Sequence, residues 1–282
     1  MGRALSTPER EALRRLLVAA KLEILPLRSV LAELKAIEPG ATLAVTASPA
    51  KNLEDGVELG AQLRAAGHEV VIHLAARMVA DRAHLGRLLS TMGEAGLDRA
   101  FVVGGDASPP GEYPDALALL RAMADGGHHL HEIGIGCYPE GHALIPDGRL
   151  QAALREKAPF ADYMTTQLCF DAAALRDWLR ARRAEGIALP VDIGMPGAVD
   201  TARLLRVSAR IGVRTAGRFA LKQRGLVGRL LRPGGYRPDG LLADLAPMLA
   251  DPGAGVRGLH VYTFNQLERT AAWRRRYLAA ID

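Results

Sequence analysis

Three carboxylates, two histidines and two tyrosines sit where apolar alternation gives way to turn residues: Glu23 in LEILP, His73 in VIHL, Asp106 in VVGGD, Tyr138, Glu140 and His142 in GCYPEGH, and Tyr262 in VYTFN. A carboxyl group set among apolar neighbours, as Glu23 is between Leu22 and Ile24, is pushed toward a pKa at which it keeps its proton near neutrality and can hand it over. Imidazole and phenol groups at such positions orient a ligand, and the hydroxyl of Thr46 and the amide of Gln167 add donors and acceptors. The run GIGCYPEGH, Gly134 to His142, packs a tyrosine, a proline, a carboxylate and a histidine directly behind an apolar alternation. That is the composition of a strand end that opens into a site. Plainer readings stand beside each of these: Glu23 paired to an arginine such as Arg28, the Gly-Gly-Asp turn as a helix cap, Gln167 as a satisfied buried amide, His73 and Tyr138 as packing.

Other reactive types are less informative. Cys137 and Cys169 have no CxxC or Cys/His spacing and no activating histidine, so they read as small buried residues of a reducing compartment. His128, His129 and His131 lack an acidic or cysteine companion, and no metal site is expected. Arg274 to Leu278, RRRYL, reads as the solvated last turns of a C-terminal helix.

The elements that must position these groups follow from periodicity. Eight strand-like runs, LEILP, ATLAVTA, EVVIHLAA, RAFVVGG, EIGIGCYP, ADYMTTQLC, LPVDIGMP and GLHVYTFN, alternate with helical patterns. Several helices end in glycine (Gly67, Gly96, Gly126, Gly186, Gly212), which takes the left-handed conformation at a helix end. No GxGxxG follows the first strand, so the alternation predicts a single (β/α)8 barrel rather than a doubly wound sheet. The barrel domain would span 1–282, with an N-terminal helix at about 6–20 and a basic excursion at about 203–237. In that fold the C-terminal strand ends carry the site, and the polar residues above fall there.

The chain has 282 residues, a formal charge of +5 and 49% apolar residues. From Arg203 to Arg237 it carries ten basic residues and no acidic one, which suits an anion or a solvated face. Aromatics are too scarce for a stacking platform and no nucleic-acid motif occurs, so nucleic acid is not expected as a partner. The charged amino terminus and the lack of a run of roughly 18 apolar residues predict a cytoplasmic chain with no membrane partner. The oligomeric state stays open, a homo-oligomer included.

Taken in order, the strand ends resemble the methylenetetrahydrofolate reductase family over nearly the whole chain. LEILPLR resembles that family's E-F-x-P-P, VTASP its V-T-x-G-A, VIHL its P-H-L, VVGGD its L-R-G-D, GCYPEGH its A-Y-P-E-x-H, TTQLCFD its T-Q-x-x-F-D and VYTFNQ its Y-T-L-N-R. The resemblance implies reduction of 5,10-methylenetetrahydrofolate to 5-methyltetrahydrofolate with electrons from NAD(P)H, usually through FAD. It implies Glu23 as the general acid and Asp106 as the anion that stabilises the folate iminium. Gln167, Tyr262 and Gln266 would bind the folate, which can be polyglutamylated, and Thr46, His73, Tyr138, His142 and Lys157 would line the cofactor. The departures fall mostly on flavin contacts: Gly104 stands where the family has arginine, Ala47 where it has an aromatic residue, and Gln266 where it has arginine. The segment ALIPDGRLQAALREK is about two residues short and offers no clear acidic partner for an adenosine ribose. FAD binding is therefore expected to be weakened, with hydride passing directly from the nicotinamide. The alternative is a folate- or nucleotide-binding barrel that has lost the redox step.

Overall fold

The structure is a computed structural model that describes residues 4–27, 29–48, 51–142, 144–200 and 235–281. Most of the basic excursion, and with it Gly212, lies outside the described residues, as does Arg28.

Eight parallel strands close on themselves in chain order: β1 (Lys21–Ile24), β2 (Thr42–Val45), β3 (Glu69–Ala75), β4 (Arg99–Val103), β5 (Glu132–Cys137), β6 (Tyr163–Thr166), β7 (Val191–Pro196) and β8 (Val256–Tyr262). The ring closes where β1 pairs with β8, Lys21 opposite His260 and Glu23 opposite Tyr262. The helices are α1 (Thr7–Val18), α2 (Val30–Glu33), α3 (Leu53–Ala65), α4 (Arg82–Glu94), α5 (Ala116–Gly126), α6 (Asp147–Lys157), α7 (Ala172–Ala184), α8 (Asp239–Leu249) and α9 (Leu267–Ile281). This is the expected (β/α)8 barrel, with a helix ahead of β1.

Strand parity divides the core in two. Leu22, Ile24, Leu43, Val45, Ile72, Leu74, Val102, Ile135, Ile193 and Val261 face the helices in one large apolar cluster. Their alternate neighbours Ala44, Val71, Phe101 and Tyr163 form a separate cluster inside the barrel. Gly134 is required there, because a Cβ on it would stand 2.3 Å from the Tyr163 ring. The same parity turns Lys21, Glu23, His73, Asp192 and His260 into the interior.

The βα loops end in capping carboxylates or amides, with Asn52, Asp81, Asp115 and Asp171 accepting from the first-turn N–H groups of α3, α4, α5 and α7. Asp115 caps α5, so Asp106 is not that helix's cap. At the helix ends Gly67, Gly96 and Gly186 have the expected positive φ, whereas after α5 it is Gly127 that turns left-handed and Gly126 stays helical. Arg274 also departs from its reading as solvated: it is buried on α9 and paired with Glu38. No helix among the described residues is long and apolar enough to cross a membrane.

Candidate active site at the C-terminal mouth of the barrel

Glu23 enters the interior one strand step above Lys21. Leu22 and Ile24, its sequence neighbours, point the other way, and His260 and His73 stand beside it instead. His260 Nε2 lies 3.0 Å from Glu23 Oε2, and the side chains are 3% and 18% exposed. The two side chains are joined by this single hydrogen bond, whose direction depends on the tautomer of the ring. The partner is a histidine from β8, which the sequence reading did not single out.

His73 stands beside them on β3. It is 5% exposed, its ring is 4.8 Å from Phe101 and 6.1 Å from His260, and its Nε2 has no hydrogen-bond partner among the described residues. Burial drives its pKa down to about 4, so the ring is neutral at physiological pH. A donor atom from each of Glu23, His73 and His260 lies within 4.8 Å of the others. By contrast His129 is engaged with the Leu97 carbonyl, and His128, His129 and His131 form no metal-capable cluster among the described residues.

The rim is built from the next residues outward. Tyr262 donates its hydroxyl to the Thr166 carbonyl at 3.2 Å and its ring lies 5.0 Å from His260. Behind it, Phe264 and Asn265 both adopt positive φ, and the Asn265 side chain clamps the backbone of Leu25, accepting from its N–H at 2.7 Å and donating to its carbonyl at 3.3 Å. That clamp, with Thr263 Oγ1 donating to the Glu23 carbonyl, fixes the end of β1 against β8. Gln266 accepts from Asp200 N–H at 2.9 Å, so it braces the loop after β7.

Gln167 turns its Oε1 onto the N–H of Leu168 at 2.8 Å, which leaves the NH2 end as the part that can donate to a ligand. Asp106 is exposed on the loop after β4, and its charge, after burial and Cys137, helps to raise the Tyr138 pKa. Tyr138 meets His142 edge to face at 5.5 Å, and His142 Nδ1 accepts from Leu144 N–H. Glu140 is turned inward beneath this loop, accepting from Phe170 and Asp171 N–H on one oxygen, and burial raises its pKa to about 7. The cleft beside it, about 360 Å³, is lined by Tyr138, Glu140, Asp147, Gln151 and Trp178. A second concavity lies at the opposite end of the barrel, around Pro159, Gly186 and Pro190, away from every group discussed above.

Of the residues that the resemblance assigns to the cofactor, Lys157 and Thr46 make local contacts, with Arg77 nearby in the same set of loops. Lys157 is buried and donates to the Gly136 carbonyl at 3.2 Å, and burial lowers its pKa. Arg77 directs its guanidinium at the carbonyls of Ala107 and Pro114. The Thr46 hydroxyl donates to its neighbour's carbonyl, Ala47, at 3.4 Å. These donors hold the loops together. Both cysteines are buried with thiol pKa values raised by burial, as inert thiols should be.

No protein-family model matches the chain. Among solved structures, an uncharacterized protein from Clostridium thermocellum that binds two copies of 5-methyl-5,6,7,8-tetrahydrofolic acid superposes with a TM-score of 0.61 at 11% identity, over 96% of this chain and 99% of that one. A Burkholderia cenocepacia protein provisionally assigned as a lyase/mutase superposes at 0.51 with 19% identity, over 98% of this chain and 86% of that one. A Toxoplasma gondii protein provisionally assigned as a deoxyribose-phosphate aldolase reaches 0.50 at 11% identity, over 98% and 100%. At these identities the likeness establishes the barrel fold and leaves the chemistry to the residues at its mouth.

Proposed function

We propose that this chain binds a reduced folate at the C-terminal mouth of its barrel and reduces 5,10-methylenetetrahydrofolate to 5-methyltetrahydrofolate with NAD(P)H. The observation that carries the reading is Glu23, an interior carboxyl at a strand end, hydrogen-bonded to a buried histidine at 3.0 Å. Such a group can deliver a proton to the amine nitrogen of the folate's five-membered ring, whose C–N bond then breaks to give an iminium. Hydride from the nicotinamide adds to the iminium carbon, and NAD(P)⁺ leaves. His260 orients the carboxyl and shares its proton. In this reading the NH2 of Gln167 donates to the pterin edge, and Asp106 supplies negative charge toward the cationic intermediate. The reading also has the support of the Clostridium thermocellum barrel, whose bound folate is the product of this reaction. Because Gly104 has no side chain and Lys157 is engaged with the Gly136 carbonyl, no step is assigned to FAD.

The test is oxidation of NADH or NADPH dependent on methylenetetrahydrofolate, with 5-methyltetrahydrofolate as the product. Glu23→Gln should lower the rate by about 10²- to 10⁴-fold while titration with 5-methyltetrahydrofolate shows binding retained. Activity of the variant within about threefold of the parent would remove Glu23 as the acid. Folate binding with no turnover of either nucleotide would favour the non-catalytic barrel.

A further inference from the structure

Protons are not the only cations that the interior cluster suits. Glu23 comes from β1, His73 from β3 and His260 from β8, so their donor atoms converge from three rigid strands and not from loops. All lie within 4.8 Å of one another, and Glu23 and His260 are already at 3.0 Å. Ligands bound at about 2.0–2.1 Å to one ion in tetrahedral geometry stand about 3.4 Å apart, so the widest pair has at most about 1.4 Å to close, within reach of side-chain rotation. Two imidazoles and one carboxylate are a donor set for divalent transition ions, leaving the remaining positions open to water or ligand. The second, independent observation is His73 Nε2, a buried nitrogen without a hydrogen-bond partner among the described residues, an arrangement that is costly unless something else satisfies it. The nearest fixed cation does not preclude an ion: Lys21 is bonded to Asp192 at 2.7 Å, and its charge is answered there.

We propose that Glu23, His73 and His260 form a binding site for one divalent transition-metal ion of the zinc or cobalt(II) class. Each histidine would offer its ring nitrogen lone pair and Glu23 a carboxylate oxygen, so any proton on those atoms leaves to solvent when the ion enters. Metal and acid catalysis are therefore alternatives at Glu23, and a bound ion blocks proton donation. The site itself rests on the donor geometry and not on the reductase reading.

The probe is Co²⁺ alone, added to the full chain after chelator treatment and dialysis, with its visible d–d absorption and stoichiometry as readouts. One Co²⁺ per chain is expected, displaced by Zn²⁺. Affinity should fall at least roughly tenfold in each of Glu23→Gln, His73→Asn and His260→Gln, the scale reached even by losing a group that only hydrogen-bonds a metal ligand. Circular dichroism separates a lost site from a lost fold, and the nearly isosteric Glu23→Gln keeps the test decisive if a histidine variant does not fold. A triple His128→Ala, His129→Ala, His131→Ala variant should bind as the parent does. Absence of d–d bands at millimolar Co²⁺, or binding that the three ligand variants leave unchanged, overturns the site. Cobalt binding without folate reduction would keep the site and remove the function; folate reduction without cobalt binding would do the reverse. When both hold, Zn²⁺ should inhibit the parent enzyme.

Discussion

Glu23 was legible as a strand-end carboxylate, but its environment was not, because the apolar residues beside it in sequence lie on the other face of β1. What surrounds it comes from β3 and β8. His260 could have been found by the same period-two reasoning that found Tyr262, since the two lie two residues apart on one face of GLHVYTFN. Glu140 was read only as part of a motif, and its partners Phe170 and Asp171 are thirty residues away in another loop. Its pKa leads to a pH prediction. Because burial raises it from the ordinary 4.5 to about 7, the folded chain binds this proton more tightly than the unfolded chain between those values. Stability is therefore lost as pH rises through that window, by an amount on the order of 3 kcal/mol for a shift from 4.5 to about 7. Glu140→Gln keeps an oxygen for both N–H groups and carries no charge, so it should be more stable than the parent at pH 8 and close to it at pH 4.5. Chemical denaturation at the two pH values checks this; an equal loss at both would mean that the carboxylate itself is needed.

At the scale of elements, the alternation and the helix-ending glycines disclosed all eight strands and their order, because parallel strands buried on both faces leave a strong periodic trace. They could not disclose which polar side chains meet inside the ring, since each contact joins strands far apart in sequence. The floor of the barrel is the clearest case. Asp192 of β7 binds Lys21 of β1 at 2.7 Å and Arg257 of β8 at 2.8 Å, Arg257 also pairs with Glu132 of β5, and the Tyr163 ring packs against both cations, 3.9 Å from Lys21 Nζ and 3.7 Å from the Arg257 guanidinium. Burial alone would raise the Asp192 pKa, but Arg257 and Lys21 together hold it below the ordinary value. Asp192→Asn would take the carboxylate from Lys21 and leave Arg257 with Glu132 alone, two interior cations close together with one anion fewer. A loss of about 3–5 kcal/mol is expected, the usual cost of removing one partner from a buried ion pair. Equilibrium unfolding in urea measures it. A loss below about 1 kcal/mol would mean that water reaches the floor and screens the cations.

Over the whole molecule, motif order led to a family whose barrel usually carries a flavin, and the placement of charge argues for a different use of the same mouth. A flavin dinucleotide needs strong donors for its pyrophosphate, and charge-assisted bonds contribute about 1.5–3 kcal/mol each. Gly104 has no side chain to give, Lys157 is buried against the Gly136 carbonyl, and Arg77 is committed to the loop that follows β4. Loss of one such anchor alone removes roughly one to two decades of affinity. Ala47, half-buried beside the mouth, leaves room where an aromatic residue would stand. The nicotinamide can then occupy the volume next to the pterin, with Glu23 on hand for the proton and no intermediate carrier between the two rings. We therefore predict that the protein purifies without flavin absorption, that added FAD does not accelerate NAD(P)H oxidation, and that initial-rate kinetics show a ternary complex of nucleotide and folate. Stoichiometric FAD in the purified chain, or parallel double-reciprocal lines from ping-pong turnover, would contradict direct transfer and would place the pyrophosphate donors in the basic stretch from Arg203 to Arg232, outside the described residues.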